Sequence, residues 1–390
     1  MGFGGNFSMK TAGIICEYDP FHLGHARQLR LVREFLGSDT AIVCAMSGNY
    51  VQRGDPAMWD KFSRAQAAVL CGADVVLELP ITAVLQSAEG FARGGAELLT
   101  RFGGIGYLSF GAECGSGETL MALARKIDTP AFDTALRKGL NQGLPYASAR
   151  QLALEDTEGL LRYPNNILGL EYCRAILALQ SELKPLAVQR TGSYHDDTPN
   201  PEAPSATAVR QQFPDGLWQS MVPPQTAALL DGRPWYRMEF GERAMLSRLR
   251  SMTDAEWEAC AHGSEGLWSK AMKAARSQPD LEAIAQAVKS KRYPMTRIRR
   301  LLLCAYLGIT EADLKRPLPY ARILAASDRG RALIRQAKKL DQLPLINPGQ
   351  TPEDRDYFAL ETRAADLYTL FSAPGFPCPC RTEQDARLIL

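Results

Sequence analysis

The clearest pattern along the chain is a short apolar strand followed by an amphipathic helix, repeated. Gly13-Ile14-Ile15-Cys16 is an apolar run flanked by glycine and polar residues, as a central strand of a parallel sheet requires. Asp19-Pro20 supplies turn chemistry after it. From Leu23 the apolar positions recur at Leu29, Val32 and Phe35 or Leu36, the spacing of one helix face. Residues 40–46 predict a second strand, 61–71 a helix and 73–80 a third parallel strand. A long helical stretch over 83–102 closes at Gly103-Gly104, and 107–110 predict a short strand. Residues 116–162 read as helical, Tyr163-Pro164-Asn165-Asn166 opens another helix, and 183–189 predict the last core strand. Strands and helices alternating at this spacing imply right-handed βαβ units and an α/β fold with a Rossmann-like, doubly wound parallel sheet. After residue 235 strand candidates vanish. The expected organisation is a lead-in over 1–8 outside the fold, a catalytic domain over 9–235 and a mainly helical C-terminal domain over 236–390.

Candidate chemistry gathers where strands end. The first helix opens on His22-Leu23-Gly24-His25, and a helix N-terminus fed by a strand is an anion site. His22 and His25, three apart, can both reach a phosphate there, and Gly24 lets a ligand approach the backbone. Two polar residues capping a helix is the plain alternative. Gly48-Asn49-Tyr50-Val51-Gln52-Arg53-Gly54 follows the second strand, where open α/β sheets place ligands. Gly111 lies at the end of the 107–110 strand, and Arg190 directly follows the last one. Of Asn165 and Asn166, one can cap its helix and leave the other amide to read a nucleoside, so both are carried. Ser205-Ala206-Thr207-Ala208-Val209-Arg210 puts two hydroxyls at a helix start with an arginine one turn on, suited to a pyrophosphate.

Composition narrows the class. The 390 residues carry a net charge of only +2, so a nucleic-acid partner must be met by a local patch. Lys289, Lys291, Arg292, Arg297, Arg299 and Arg300 are six cations with no acid between them, and Tyr293 is interleaved for stacking. A solvated helix face is the bland reading of such a run. Of the nine cysteines most lie in apolar segments, and Cys378-Pro-Cys380 lacks the second pair a zinc site needs. No apolar run of membrane-spanning length exists and no charged-then-apolar segment opens the chain. The expectation is a cytoplasmic protein with no membrane partner, no obligate protein partner and no dedicated metal site.

Strand, turn and His-x-Gly-His together resemble the nucleotidylyltransferase superfamily. The longer string Glu17-Tyr18-Asp19-Pro20-Phe21-His22-Leu23-Gly24-His25 resembles one branch of it, the tRNA(Met) cytidine acetate ligases. Further segments match that family in order: 48–57, Ser109-Phe110-Gly111-Ala112-Glu113, 165–172, 190–196, 205–210 and 291–298. Asp19 and Leu23 stand where the family usually has Asn, which adds a negative charge beside the phosphate site, and Ala112 stands where Ser is more usual. The resemblance implies ATP as substrate, accompanied by Mg²⁺, with contacts from Ile15, Cys16, Glu17, Tyr18, Asp19, Pro20, Phe21, Gly24, Gly111, Asn165 or Asn166, Arg190, Ser205, Thr207 and Arg210. It implies His22 and His25 as catalytic residues, the six-cation run as a tRNA contact, and acetate and elongator tRNA(Met) as the other substrates. Two other classes fit the residues less well. A small-molecule nucleotidyltransferase needs no basic helical region, and a non-catalytic RNA- or nucleotide-binding protein needs no His22, His25 or Arg210.

Overall fold

A computed structural model describes residues 10–156, 159–189 and 204–387 of the chain. β1 (Thr11–Cys16) is buried throughout and feeds α1 (Leu23–Leu36). β2 (Ala41–Ser47) is followed by a hairpin of β3 (Tyr50–Val51) and β4 (Asp55–Pro56), then α2 (Lys61–Leu70) and β5 (Val75–Leu79). The helix predicted over 83–102 is two helices, α3 (Ile81–Val84) and α4 (Ala88–Phe102), because the Ser87 hydroxyl caps a fresh start by accepting from the Gly90 N–H. β6 (Tyr107–Ala112), α5 (Gly117–Lys126), α6 (Pro130–Asn141), α7 (Tyr146–Ala153) and α8 (Pro164–Ala178) lead to β7 (Lys184–Gln189). α9 (Ala206–Gln211) and α10 (Pro224–Leu230) connect to α11 (Met238–Ser251), α12 (Asp254–Ala259), α13 (Leu267–Ser277), α14 (Leu281–Val288) and α15 (Met295–Leu307). β8 (Ala321–Ala326), α16 (Asp328–Leu340), β9 (Leu345–Ile346) and α17 (Arg355–Tyr368) follow. None of the described helices is long and apolar enough to cross a membrane.

The seven-stranded sheet runs β7-β6-β1-β2-β5-β8-β9. Its first five strands are parallel, with Ile14 opposite both Cys44 on β2 and Ser109 on β6. Strand order reverses between β1 and β6, which opens a crevice at their carboxyl ends. Both faces of the sheet are covered. Ala41, Val43 and Ala45 of β2 pack toward α4 and α8, while Ile42, Cys44 and Met46 pack toward α1 and α2. That two-sided burial is why these strands read as unbroken apolar runs.

The sheet does not end with 183–189. β8 returns from the helical region and pairs antiparallel to β5, with Ala326 opposite Val75, and β9 pairs with β8. Helices α11–α15 also share one continuous core with α4 and α8. Residues 236–390 are mainly helical, but the sheet and the core both run across the seam drawn at 235 without a break.

β8 escaped the sequence reading because Arg322 interrupts its apolar run. That arginine is buried and charge-balanced. Its Nε lies 3.2 Å from carboxylate oxygens of Glu78 and of Glu383, and its Nη2 is 3.0 Å from Glu361. Lys61 donates to both oxygens of Glu78 at 2.7 Å and to Glu383. Two cations thus face three carboxylates out of water. Burial and the neighbouring Glu78 push the Glu361 carboxyl up to about 7, and a proton there brings the cluster to neutrality. A carboxyl raised on folding contributes stability that is complete below its unfolded value and is lost as pH rises through the folded one. The chain is therefore expected to lose stability between about pH 4.5 and pH 7 through this group. Glu361→Gln should flatten that segment of a plot of urea midpoint against pH; an unchanged slope would contradict the assignment.

Candidate active site

A cleft of about 1120 Å³ opens over the carboxyl ends of β1, β6 and β7. β1 delivers Cys16 and Glu17 to its rim, and Tyr18 turns the chain with a left-handed φ of +46°. That conformation costs a non-glycine residue on the order of 1–3 kcal/mol. It is held because the Tyr18 ring is buried against Phe21 and His25.

The two histidines share one arrangement. His22 is the N-cap of α1, and its Nδ1 accepts from the Gly24 N–H at 3.0 Å. His25 sits one turn on, and its Nδ1 accepts from the His22 N–H at 3.2 Å. The rings stack with centroids 3.7 Å apart. An Nδ1 that accepts a backbone hydrogen carries no proton, so both imidazoles are set as the Nε2–H tautomer. Each then offers one Nε2–H donor. The capping alternative and the catalytic one are thus compatible, since Nδ1 of each ring does the capping and the opposite nitrogen carries the N–H. Gly24, which lines the cleft, has a local structural reason as well. A Cβ there would meet the folded-back His22 ring at 2.8 Å, so glycine makes room for the imidazole.

α9 faces α1 across the cleft. Ser205 Oγ accepts from the Ala208 N–H at 3.0 Å as N-cap, and Arg210 Nη2 donates to Thr207 Oγ1 at 3.3 Å. Arg210 Nη1 donates to the Asp19 carbonyl at 2.6 Å and to its carboxylate at 3.3 Å. Asp19 Oδ1 also accepts from the Met58 N–H at 2.7 Å. The extra negative charge at position 19 is therefore matched by the arginine of the second motif, and the two motifs are tied together through it.

Behind the β1 turn, Glu17 Oε1 accepts from the Gln52 N–H at 2.7 Å. Burial raises the Glu17 carboxyl above its usual value, with that bond opposing. Burial likewise raises Asp55, opposed by Arg299. Arg64, fully buried, clamps this region: it donates to the carbonyls of Trp59 at 2.9 Å and Ser47 at 3.2 Å, and to those of Glu17 and Gly48. No signal short of this geometry marks Arg64 in the sequence.

The expected nucleoside side is built from β6 and α8. Phe110, Gly111, Asn165, Ile167, Leu168 and Tyr172 line the wall. Asn166 does not; it is fully buried, with Oδ1 accepting from the Glu113 N–H at 3.0 Å and Nδ2 donating to the Cys114 carbonyl at 3.1 Å. Asn165 is the amide that faces the cleft, and Asn166 is the structural one.

Of the expected ATP contacts, Ile15, Cys16, Glu17, Tyr18, Asp19, Gly24, Gly111, Asn165, Ser205, Thr207 and Arg210 line this one cleft, and the expected catalytic residues His22 and His25 line it with them. Pro20 and Phe21 are buried outside its lining, and Phe21 packs on Tyr18 and His25. Arg190 lies outside the described residues. Arg27 and Gln28 line the cleft unforeseen, although they follow Gly24 and His25 by three residues on one helix face. Tyr236, Arg237, Met238 and Glu239 also line it, directly across the seam drawn at 235.

The basic run divides. Lys289, Lys291 and Arg292 are exposed. Arg297 is bound to Ser264 and, at 3.0 Å, to Glu265, an acid that sequence order kept out of sight. Arg299 lies 3.8 Å from Asp55 of the hairpin. Arg300 is turned inward, 7% exposed, and donates to the Gln52 carbonyl at 3.3 Å. Gly54, with φ +87°, lets the hairpin sit on this helix, since a Cβ there would meet the Arg300 nitrogen at 2.7 Å. Arg300 is therefore not an RNA-facing cation. Tyr293 is half-buried among Lys270, Arg292 and Arg297, whose charges lie 6.0, 5.8 and 5.7 Å from its ring.

Among the described residues no group of three or more His, Cys, Asp or Glu could hold a metal ion. Glu17 and Asp19 are committed to backbone N–H groups and Asp55 faces Arg299, so the cleft does not fit a dedicated metal cage.

Residues 9–377 match the family model of the HIGH Nucleotidyl Transferases. The chain is 35% identical to the tRNA(Met) cytidine acetate ligase of Alkaliphilus metalliredigens, covering 93% of this chain and 94% of that one. It is 32% identical to the enzyme of the same name from Acetivibrio thermocellus, covering 94% and 97%. The crystal structure of Thermotoga maritima TmcAL in its apo form superposes with a TM-score of 0.87 at 28% identity, covering 97% of this chain and 99% of that one. The same protein bound with alpha-thio ATP superposes with a TM-score of 0.85.

Proposed function

The chain belongs to the HIGH nucleotidyl transferases and within them to the tRNA(Met) cytidine acetate ligases, and from that we propose that it is an ATP-dependent ligase acetylating a cytidine of tRNA(Met). The acceptor is taken to be the wobble cytidine of the elongator tRNA, and the acyl donor acetate. The observation that carries this reading is the facing pair of motifs, His22 and His25 on α1 against Thr207 and Arg210 on α9, joined through Asp19.

The reaction balances in two steps. An acetate oxygen attacks the α-phosphorus of ATP, the bond to the β-phosphate oxygen breaks, and pyrophosphate leaves. The cytidine N4 amine then attacks the acetyl carbon, the anhydride bond breaks, AMP leaves and the amine loses a proton. Charge grows on the α-phosphate oxygens and on the departing pyrophosphate in the first step. The Nε2–H donors of His22 and His25 meet the former, and Thr207 and Arg210 the latter. The histidines are pre-positioned by backbone N–H groups and Arg210 by the Asp19 carbonyl, so little reorganisation is needed as charge develops. Mg²⁺ arrives with the triphosphate as part of the substrate, and no step is routed through a protein-bound metal. The mixed anhydride is already activated, so no protein nucleophile is required. An anticodon-loop base is single-stranded and can be presented to the cleft at low cost.

Lys289, Lys291 and Arg292 are the run's candidates for tRNA phosphates. Replacing all three by alanine is expected to reduce the slope of log affinity for tRNA against log salt by about 2 to 3, with KM for ATP unchanged. An equal slope would remove the patch from the interface. The whole reading is tested by supplying labelled acetate, ATP and tRNA and analysing the nucleosides: label in N4-acetylcytidine supports it, and unlabelled tRNA overturns it.

A further inference from the structure

We propose that Glu113 is a positioning residue that sets nucleoside specificity, by fixing the Asn165 amide with its oxygen available to a hydrogen-bond donor of the nucleotide. This rests on the ATP reading above.

Glu113 lies two residues beyond Gly111, where β6 has just ended, and its carboxylate reaches the start of α8. Its Oε1 accepts from Asn165 Nδ2 at 2.6 Å and from the Asn165 N–H at 3.3 Å. Its Oε2 accepts from the Asn166 N–H at 3.1 Å. The Asn166 side chain returns a bond to the Glu113 N–H at 3.0 Å, so the two segments are zipped in both directions. An anion at a helix N-terminus is further favoured by the helix dipole.

The consequence is chemical. An ionised carboxylate only accepts, so the Asn165 amide must turn its nitrogen toward Glu113 and cannot flip. Its Oδ1 accepts no hydrogen bond among the described residues, and Asn165 lines the cleft. That oxygen position can serve only a donor. On an adenine nucleoside the donors are the exocyclic 6-amine and the ribose hydroxyls. Glutamine at 113 would offer its own N–H as well as an oxygen, and the Asn165 amide could then take either orientation.

The test measures acetate-dependent pyrophosphate release with ATP, the 6-oxo analogue ITP, 2′-deoxy-ATP and 3′-deoxy-ATP. Wild-type protein should show KM raised about tenfold with the analogue that lacks the recognised donor, the worth of one hydrogen bond. In Glu113→Gln, KM for ATP should rise by about the same factor with kcat nearly unchanged, and the preference among analogues should collapse. Asn165→Ala, which keeps the backbone N–H bonds from positions 165 and 166 to the Glu113 carboxylate, should lose the same preference even if Glu113→Gln folds poorly. A merely structural role would weaken all four nucleotides equally. Wild-type protein that treats all four alike, or variants that retain its preference, would overturn the proposal. Wild-type protein that does not turn over ATP at all would instead overturn the ATP reading beneath it.

Discussion

His25→Ala is expected to lower acetate-dependent ATP turnover by about 10² to 10³-fold while the protein still folds, the cost of removing a pre-positioned donor to developing charge. The structural cost is small by comparison. His25 contributes one acceptor to the cap of α1, through Nδ1 and the His22 N–H, worth about 1 kcal/mol. The two roles separate in His25→Gln. Glutamine at the third helical position is a natural capping-box partner, so it should restore the melting temperature without restoring turnover. Steady-state pyrophosphate release on both variants checks this. Turnover recovered by His25→Gln would reduce His25 to a helix cap.

Arg322→Met is expected to cost about 3–5 kcal/mol of stability, as breaking a buried ion cluster does. The side chain is buried between Glu78, Glu361 and Glu383, and its removal leaves Lys61 alone against three carboxylates. These four partners come from α2, β5, α17 and the C-terminal segment, so the cluster pins β8 and the chain's last segment onto the sheet. Urea denaturation measures the loss. Arg30→Ala makes the matched control. Its pair with Glu34 is exposed on both sides and should change stability by under about 0.5 kcal/mol. Equal effects in the two variants would show that the buried cluster carries no special weight.

The parallel core was legible because two-sided burial writes unbroken apolar runs, as at Ile42 to Met46 and Val75 to Leu77. β8 was not, since Arg322 inside a strand reads as solvent-facing until Glu78 and Glu383, distant in sequence, are placed beside it. Asn165 and Asn166 carry the same chemistry in adjacent positions, and only the packing of the start of α8 against the end of β6 shows that one is buried. The cation run misled in a similar way. Arg299 and Arg300 are about 100° apart around a helix, so one lies at the exposed rim near Asp55 while its neighbour is buried beneath the hairpin against Gln52. His22, His25, Thr207 and Arg210 were found from local motifs because each motif is a helix start, whose chemistry is set within one turn. What joins them, Arg210 to Asp19 across nearly two hundred residues, is set by the fold.

The central claim is that acetate and tRNA are successive substrates of one adenylating cleft. The direct measurement is AMP and pyrophosphate release by the purified protein, with acetate and tRNA each supplied or omitted. Release that requires acetate, is accelerated by tRNA and leaves an acetyl group on the tRNA is the predicted result. Pyrophosphate released without acetate, with AMP retained on a small acceptor, would contradict it.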